Sequence, residues 1–167
     1  MITKYLTKNF YINTIIFFLI FILDRFSKIY VVNLDKVNYS PELYKSKFLN
    51  INLMWNEGIA FGLLSFDQSN FYNLLSLLIA IIVLVIFFMI IKNNNIKKYP
   101  LLMIFAGATG NLYDRITYKA VPDFIDFHIE EFHWFIFNVA DIFITIGVFF
   151  MILFELIDAN KDNHENI

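Results

Sequence analysis

Apolar residues gather into four long stretches divided by polar connections, and this pattern predicts four helices rather than the shorter amphipathic elements of a water-soluble domain. The first stretch, about residues 10–34, is interrupted by Asp24-Arg25-Phe26-Ser27-Lys28. The second, about residues 71–91, carries only Tyr72, Asn73 and Ser76 as polar exceptions. The third, about residues 100–116, ends in a crowd of polar groups at Thr109, Asn111, Asp114 and Arg115. The fourth, about residues 137–157, is apolar except for Asn138, Asp141, Thr145 and Glu155. A charged tail, about residues 159–167, is expected to be disordered.

Two of the connections alternate instead. Leu49-Asn50-Ile51-Asn52-Leu53 has the period of a strand, and Asn56-Glu57-Gly58 breaks it. Between the third and fourth stretches, Asp123, Ile125, Phe127 and Ile129 fall on one face, with Asp126, His128 and Glu130 opposite. The expected fold is therefore an all-α membrane protein: four transmembrane helices, with a small extracytoplasmic β-sheet lying on the bundle, in a single domain over residues 1–167.

Composition strengthens the membrane reading. The chain is 59% hydrophobic and 17% charged, against roughly 25% charged in a soluble domain. So many apolar side chains find no interior in a globule of this size, which keeps a large surface. Lipid must solvate much of the chain. The net charge of −2 gives no reason to expect a nucleic-acid partner. Without cysteine there are no disulfides, thiol nucleophiles or cysteine metal sites. The three histidines (His128, His133, His164) look too scattered for zinc, so no metal is expected.

Lys4 and Lys8 before an apolar run resemble the start of a cleaved signal peptide, but the run ends in charges without a small-x-small cleavage site. A retained anchor is the expectation. Lysines are densest at the N-terminus and in residues 92–98, whereas Lys36, Lys45 and Lys47 are spread through a long loop. That density places both termini in the cytoplasm. Trp55, Trp134 and nearby tyrosines fit an interfacial aromatic belt.

In that topology the polar residues of the first, third and fourth stretches share one depth near the outer face. A charge at a helix centre costs about 2.5–3.5 kcal/mol on insertion scales, so these groups need partners. Each of the two arginines follows an aspartate, at Asp24-Arg25 and Asp114-Arg115, and ion pairing is the bland reading of both. Asp24 and Lys28 stand one helical turn apart; Asn111 shares a face with Asp114 and Arg115, and Asn138 with Asp141. Asp123 and Asp141 have no basic neighbour in sequence. Two carboxylates sharing a proton would supply an acid and a base together. A proton or cation pathway and a non-catalytic scaffold with polar interhelical contacts fit the same residues. Ser27 beside Lys28 does not make a dyad, because adjacent helical residues do not face each other. His128 and His133 read as solvated or interfacial.

Five segments, taken in order, resemble the lipoprotein signal peptidase (signal peptidase II) family of bacteria. Asp24-Arg25-Phe26-Ser27-Lys28 is similar to its D-x-x-[ST]-K element, and Asn56-Glu57-Gly58-Ile59-Ala60-Phe61-Gly62 to N-x-G-x-A-F-G. Residues 107–115 are similar to G-x-x-G-N-L-x-D-R, Val121-Pro122-Asp123-Phe124 to V-x-D-F, and Phe137-Asn138-Val139-Ala140-Asp141 to F-N-x-A-D. The resemblance implies an aspartyl endopeptidase of the bacterial inner membrane, without metal or organic cofactor. Such an enzyme cuts prolipoproteins just before a diacylglyceryl-modified cysteine and is inhibited by globomycin. It implies Asp123 and Asp141 as the catalytic pair. Asp24, Lys28, Asn56, Gly58, Asn111, Asp114, Arg115 and Asn138 then shape the site or bind substrate and inhibitor. Membrane lipids are further partners, and the site lies near the outer face between the first, third and fourth helices. The G-x-G-D element of other intramembrane aspartyl proteases is absent. Two positions depart from the family pattern. Ala106-Gly107 replaces a glycine pair, which is expected to loosen a helix contact slightly, and Ile142 replaces a serine, which is expected to remove a hydrogen bond near Asp141.

Overall fold

The structure, a computed structural model, describes residues 8–38, 42–58, 68–93 and 95–165. Four helices and four strands follow in the order α1 (Lys8–Asn38), β1 (Glu42–Lys45), β2 (Leu49–Asn56), α2 (Gln68–Lys92), α3 (Lys98–Tyr118), β3 (Val121–Ile129), β4 (Phe132–Phe137) and α4 (Val139–Glu165). The architecture is mostly helical with a small sheet, as the apolar pattern predicts. Among the described residues, two windows are long and apolar enough to cross a membrane, Tyr72–Lys92 in α2 and Val139–Ala159 in α4. Ion-forming residues interrupt α1 and α3. The outward surface of α2 is a continuous apolar wall that includes Leu74, Leu77, Leu78, Ile81, Leu84, Val85 and Phe88, all exposed. Such a surface belongs in lipid, because water would order around it.

Helix boundaries follow local chemistry. The Asn-rich turn between α2 and α3 holds itself by side chains: Asn93 Oδ1 accepts the Asn95 N–H at 3.2 Å, and Asn95 Oδ1 accepts the Lys97 N–H at 2.9 Å. Pro100 sits in the first turn of α3, where its missing N–H breaks no helical bond. α3 stops where Lys119 adopts a left-handed conformation with φ 60°.

The tail does not break at Asp158. α4 continues helical to Glu165, past the point where the charged tail begins. Its last apolar turns are also tied to the α2–α3 connection, where Lys97 Nζ meets Glu155 Oε2 and Asp158 Oδ2, each at 2.8 Å.

α3 is the central helix, packed on α1, α2 and most extensively on α4. Small residues let the last pair approach. A Cβ on Gly107 would stand 2.6 Å from the Ala140 carbonyl oxygen, and one on Gly147 would stand 2.8 Å from that of Pro100. Ala106, the residue that replaces the first glycine of the family's pair, is completely buried.

The sheet is antiparallel in the order β1-β2-β3-β4. β2 reaches three residues beyond the alternating segment, to Asn56. An irregularity between Ile51 and Met54 re-registers it so that Met54 faces Asp123, the kind of local bend that re-aims a strand beside a functional site. In β3 the alternation holds, but its polar face turns inward. Asp126 and His128 are buried while Phe127 and Ile129 are exposed. The solvated placement expected for His128 is thus corrected. Exposed Phe127, Ile129, Phe132, Trp134 and Phe135 instead make the outer face of the β3–β4 hairpin apolar and aromatic, as an interfacial surface requires.

Candidate active site

Polar residues from α1, α3, β2, β3 and the start of α4 converge. Asp24 and Asp114 are both fully buried. Lys28 Nζ, itself buried, donates to Asp24 Oδ1 at 2.9 Å, Asp114 Oδ2 at 2.8 Å and Asn111 Oδ1 at 2.7 Å. Arg25 bridges the same two carboxylates, with Nη2 at 2.6 Å from both Asp24 Oδ2 and Asp114 Oδ2 and Nη1 on Asp114 Oδ1. The guanidinium also lies 5.0 Å from the centroid of the Tyr113 ring, a cation–π distance. Two acids and two bases therefore neutralise each other between α1 and α3. The remaining Asp24 contact crosses to α4, where Oδ1 accepts the Ala140 N–H at 3.1 Å. The bland role of Ser27 holds, since its hydroxyl donates to the Asp24 carbonyl at 2.9 Å.

Asp114 does not pair with its sequence neighbour. Both its oxygens are taken by α1, and Arg115 turns elsewhere, to a long 3.5 Å contact with the Asn111 carbonyl. Successive helical residues point about 100° apart, which is why an Asp-Arg dipeptide need not be an ion pair. Arg115 Nε is buried without a hydrogen-bond partner, and the side chain lines a cavity of about 790 Å³ with Met54, Asn56, Gly58 and Asp123. Tyr72 braces this helix end by donating to the Arg115 carbonyl at 3.0 Å.

The other wall of the cavity comes from Leu75 and Ile79 of α2 and from Phe135 and Ile136 of β4. The site was expected between the first, third and fourth helices; α2 also encloses it. The apolar regularity of α2 gave no sequence signal for that contact, whereas Tyr72 did stand out as a polar exception. Residues 59–62 of the N-x-G-x-A-F-G-like segment lie outside the described residues. Its first part is held by Asn56, whose Oδ1 accepts the Gly58 N–H at 2.7 Å. Gly58 has φ 81°, and a Cβ there would meet Leu75 at 2.7 Å, so only glycine fits without a shift.

Asp123 and Asp141 are joined through one residue. Asn138 Nδ2 donates to Asp123 Oδ1 at 2.6 Å, and the second Asp123 oxygen accepts from Asn56 Nδ2 at 2.9 Å. Asn138 Oδ1 accepts the Asp141 N–H at 3.1 Å, while Asp141 Oδ2 accepts the Asn138 N–H at 3.1 Å. This reciprocal pair is a capping box that starts α4. The last Asp141 oxygen accepts from Asn111 Nδ2 at 2.8 Å. Because lysine only donates, Lys28 fixes the Asn111 oxygen toward itself and leaves its amide hydrogens for Asp141. Burial pushes the Asp123 carboxyl above the usual carboxylate range; the Asn56 and Asn138 amides pull it back, and the nearby Asp141 charge pushes it further up. Ile142 lies beside Asp141 on a groove of about 240 Å³ that also holds Trp134, Phe137 and Thr145.

Every residue expected at the site takes part in the same hydrogen-bonded assembly or lines its cavity, Arg115 with its Nε unpartnered. Fold and site together define a helical membrane enzyme with a small antiparallel sheet over a cluster of buried carboxylates. Two solved structures, each described as a bacterial membrane enzyme obtained by the in meso method, are similar. One, at 1.9 Å resolution, has a TM-score of 0.70 and 31% identity, covering 86% of this chain and 91% of that one. The other, at 2.3 Å resolution, has a TM-score of 0.71 and 30% identity, covering 89% and 90%. The lipoprotein signal peptidase of Pelagibacter ubique (strain HTCC1062) is 53% identical over 158 residues, 95% of each chain. That of Francisella tularensis subsp. mediasiatica (strain FSC147) is 36% identical over 147 residues, 86% of this chain and 90% of the relative. The family model of signal peptidase (SPase) II matches residues 16–157. The chain belongs to the signal peptidase II family and is a membrane peptidase.

Proposed function

We propose that Asp123 and Asp141 are the catalytic pair with which this peptidase cuts prolipoproteins, just before the diacylglyceryl-modified cysteine. Asn138 carries the reading: a single residue engages both carboxylates, and Asp123 lines the cavity of about 790 Å³. Among the described residues, Arg25 and Lys28 are ion-paired with Asp24 and Asp114, and the side chains that hydrogen-bond the pair are the amides of Asn56, Asn111 and Asn138; Arg115 shares the cavity with Asp123. Two neighbouring carboxylates, neither in an ion pair among the described residues, would share one proton. The ionised member takes a proton from water as the oxygen attacks the scissile carbonyl carbon. The protonated member donates a hydrogen bond to the carbonyl oxygen, and collapse of the tetrahedral adduct expels the cysteine amine, which takes its proton from the pair. Proton loss belongs to the pair as a unit.

The scissile segment is bound extended. β1 pairs with β2 only as far as Asn52 among the described residues, so one edge of β2 from Met54 to Asn56 is open beside the cavity. Edge pairing there exposes a peptide carbonyl that a helix would hide. Arg115 meets a substrate carbonyl with its guanidinium, whose Nε has no other partner, and globomycin-type cyclic peptides occupy the same cavity. The apolar groove at Ile142 receives a lipid chain. The protein is a single domain whose four helices cross the bacterial inner membrane, with both termini cytoplasmic and the site near the outer face. Neutral pairing of the α1 and α3 charges supports their burial at that depth. With no native cysteine, single cysteines introduced at Asn95 and at Trp134 report the two sides; labelling of both from the same side refutes the topology.

The test is cleavage of a diacylglyceryl-modified prolipoprotein by purified protein. Asp123→Asn and Asp141→Asn should each fall below about one per cent of wild type, the scale of a lost acid–base group, while keeping helical circular dichroism. Cleavage by both variants at wild-type rates overturns the assignment.

A further inference from the structure

The β3–β4 hairpin carries a second cluster at its turn end, away from Asp123. Its two-residue turn, Glu130-Glu131, places His128 directly opposite His133 across the strands. The imidazoles stack with centroids 4.9 Å apart and planes 16° from parallel. Asp126, buried on the same face, meets His133 Nδ1 at 2.9 Å through Oδ1 and 3.0 Å through Oδ2. Histidines far from any zinc spacing in sequence are thus brought together with a carboxylate.

We propose that Asp126, His128 and His133 bind one divalent transition-metal ion of the zinc class. One ligand atom from each residue lies within 4.8 Å of the others. Ligand atoms at 2.0–2.2 Å around a tetrahedral zinc stand roughly 3.3–3.6 Å apart, so closure needs a shift of about one ångström, which a half-exposed His133 can supply. The second observation is His128: the residue is 8% exposed, and its Nδ1 is buried without a hydrogen-bond partner. Buried polar atoms are almost always satisfied, and a metal would satisfy this one. Asn50 supplies an outer contact, with Nδ2 donating to Asp126 Oδ2 at 3.3 Å, the kind of support that orients a ligating carboxylate. The exposed side of His133 gives the ion its entry path and leaves a fourth position for water. Two imidazoles and one carboxylate favour zinc and its neighbours over calcium or magnesium, which take oxygen ligands. The ion would clip β3 to β4 and stiffen the hairpin that leads through Phe137 to Asn138. This role is independent of the aspartyl chemistry.

The experiment uses the full chain without a histidine tag, purified in detergent and stripped with EDTA. Zn²⁺ is titrated against a chromophoric chelator, and Co²⁺ replaces it for visible spectroscopy. Wild type should bind one ion with a tetrahedral cobalt spectrum, and His133→Ala should bind more than about tenfold more weakly, since even an outer-shell change costs that much. Zinc should raise the thermal midpoint of wild type and leave that of His133→Ala unmoved. Because His133 is half exposed, the variant folds, and its circular dichroism verifies this. The proposal is overturned by absence of saturable binding to wild type, or by binding that His133→Ala leaves unchanged.

Discussion

Replacing Lys28 by methionine tests whether the charge network between α1 and α3 is a buried scaffold. The Lys28 side chain is 2% exposed and both its carboxylate partners are at 0%. Methionine keeps the apolar stem but deletes three charge-assisted contacts of 2.7–2.9 Å. Two carboxylates are then left facing Arg25 alone. Breaking a buried ion network by removing one member costs about 3–5 kcal/mol, mostly from the charge left uncompensated. The assay is unfolding in mixed detergent micelles, with SDS as denaturant and helical circular dichroism as the signal. Adding Asp24→Asn restores neutrality while its oxygen still accepts the Ala140 N–H, so the double variant should recover about 1–3 kcal/mol relative to additivity. Loss of Lys28 also frees Asn111 to rotate away from Asp141, so the rate in the folded fraction should drop too. A single-variant cost below about 1 kcal/mol, the scale of an exposed pair, refutes the reasoning. So does strict additivity in the double variant.

Other consequences concern packing, capping and pH. Gly110→Ala would put a Cβ 2.6 Å from Asp24 Oδ2, well inside the 3.4 Å at which ordinary contact begins. The carboxylate must then move off Arg25, and a loss of about 1–3 kcal/mol is expected in the same unfolding assay. Asn138→Ala removes the cap of α4 and the bridge between Asp123 and Asp141 together. It should cost about 1 kcal/mol as a cap and lower the cleavage rate by about a hundredfold through misplacement of the pair; a stability loss without a rate loss would leave Asn138 only a cap. Asp123 binds its proton more tightly in the folded than in the unfolded chain, because burial raises its proton affinity. Its stabilising contribution is full below the ordinary carboxylate range, about pH 4, and is lost as pH rises through the higher folded value. The thermal midpoint of Asp123→Asn minus that of wild type should therefore grow from acid to neutral pH, and a flat difference contradicts it.

The sequence made the helices legible because lipid-facing surfaces need long apolar runs, and the α2 run is uninterrupted from Leu77 to Ile91. Strands β2 and β3 were visible through alternation, and the junction at Asn138 through its spacing to Asp141. Orientation was less legible. The period of β3 does not say which face is covered, so Asp126 and His128 looked outward, although Phe127 and Ile129 are the exposed residues. Likewise Leu75 and Ile79 carry no chemistry of their own, and only the tertiary approach of α2 makes them cavity wall.

The two Asp-Arg dipeptides show most clearly what three dimensions add. They read alike, yet Arg25 makes contacts to both Asp24 and Asp114 while Arg115 is left over. The cause is register: Asp114 faces α1, where Lys28 and Arg25 already wait, so the next residue along α3 must point to the cavity. Had Arg115 been held by Asp114, the cavity would lack a cation. Had Arg25 and Lys28 been free, either could have bound Asp141 or Asp123 and held it permanently ionised. Neutralising two acids with two bases inside the helix bundle therefore leaves Asp123 and Asp141 without an ion pair among the described residues, hydrogen-bonded by amides that accept either protonation state after a flip. The scaffold charges and the proposed catalytic carboxylates are linked through a single asparagine, Asn111, which touches Lys28 on one side and Asp141 on the other. Through that amide the network fixes where Asp141 points without forming an ion pair to it, as the proposed proton sharing requires.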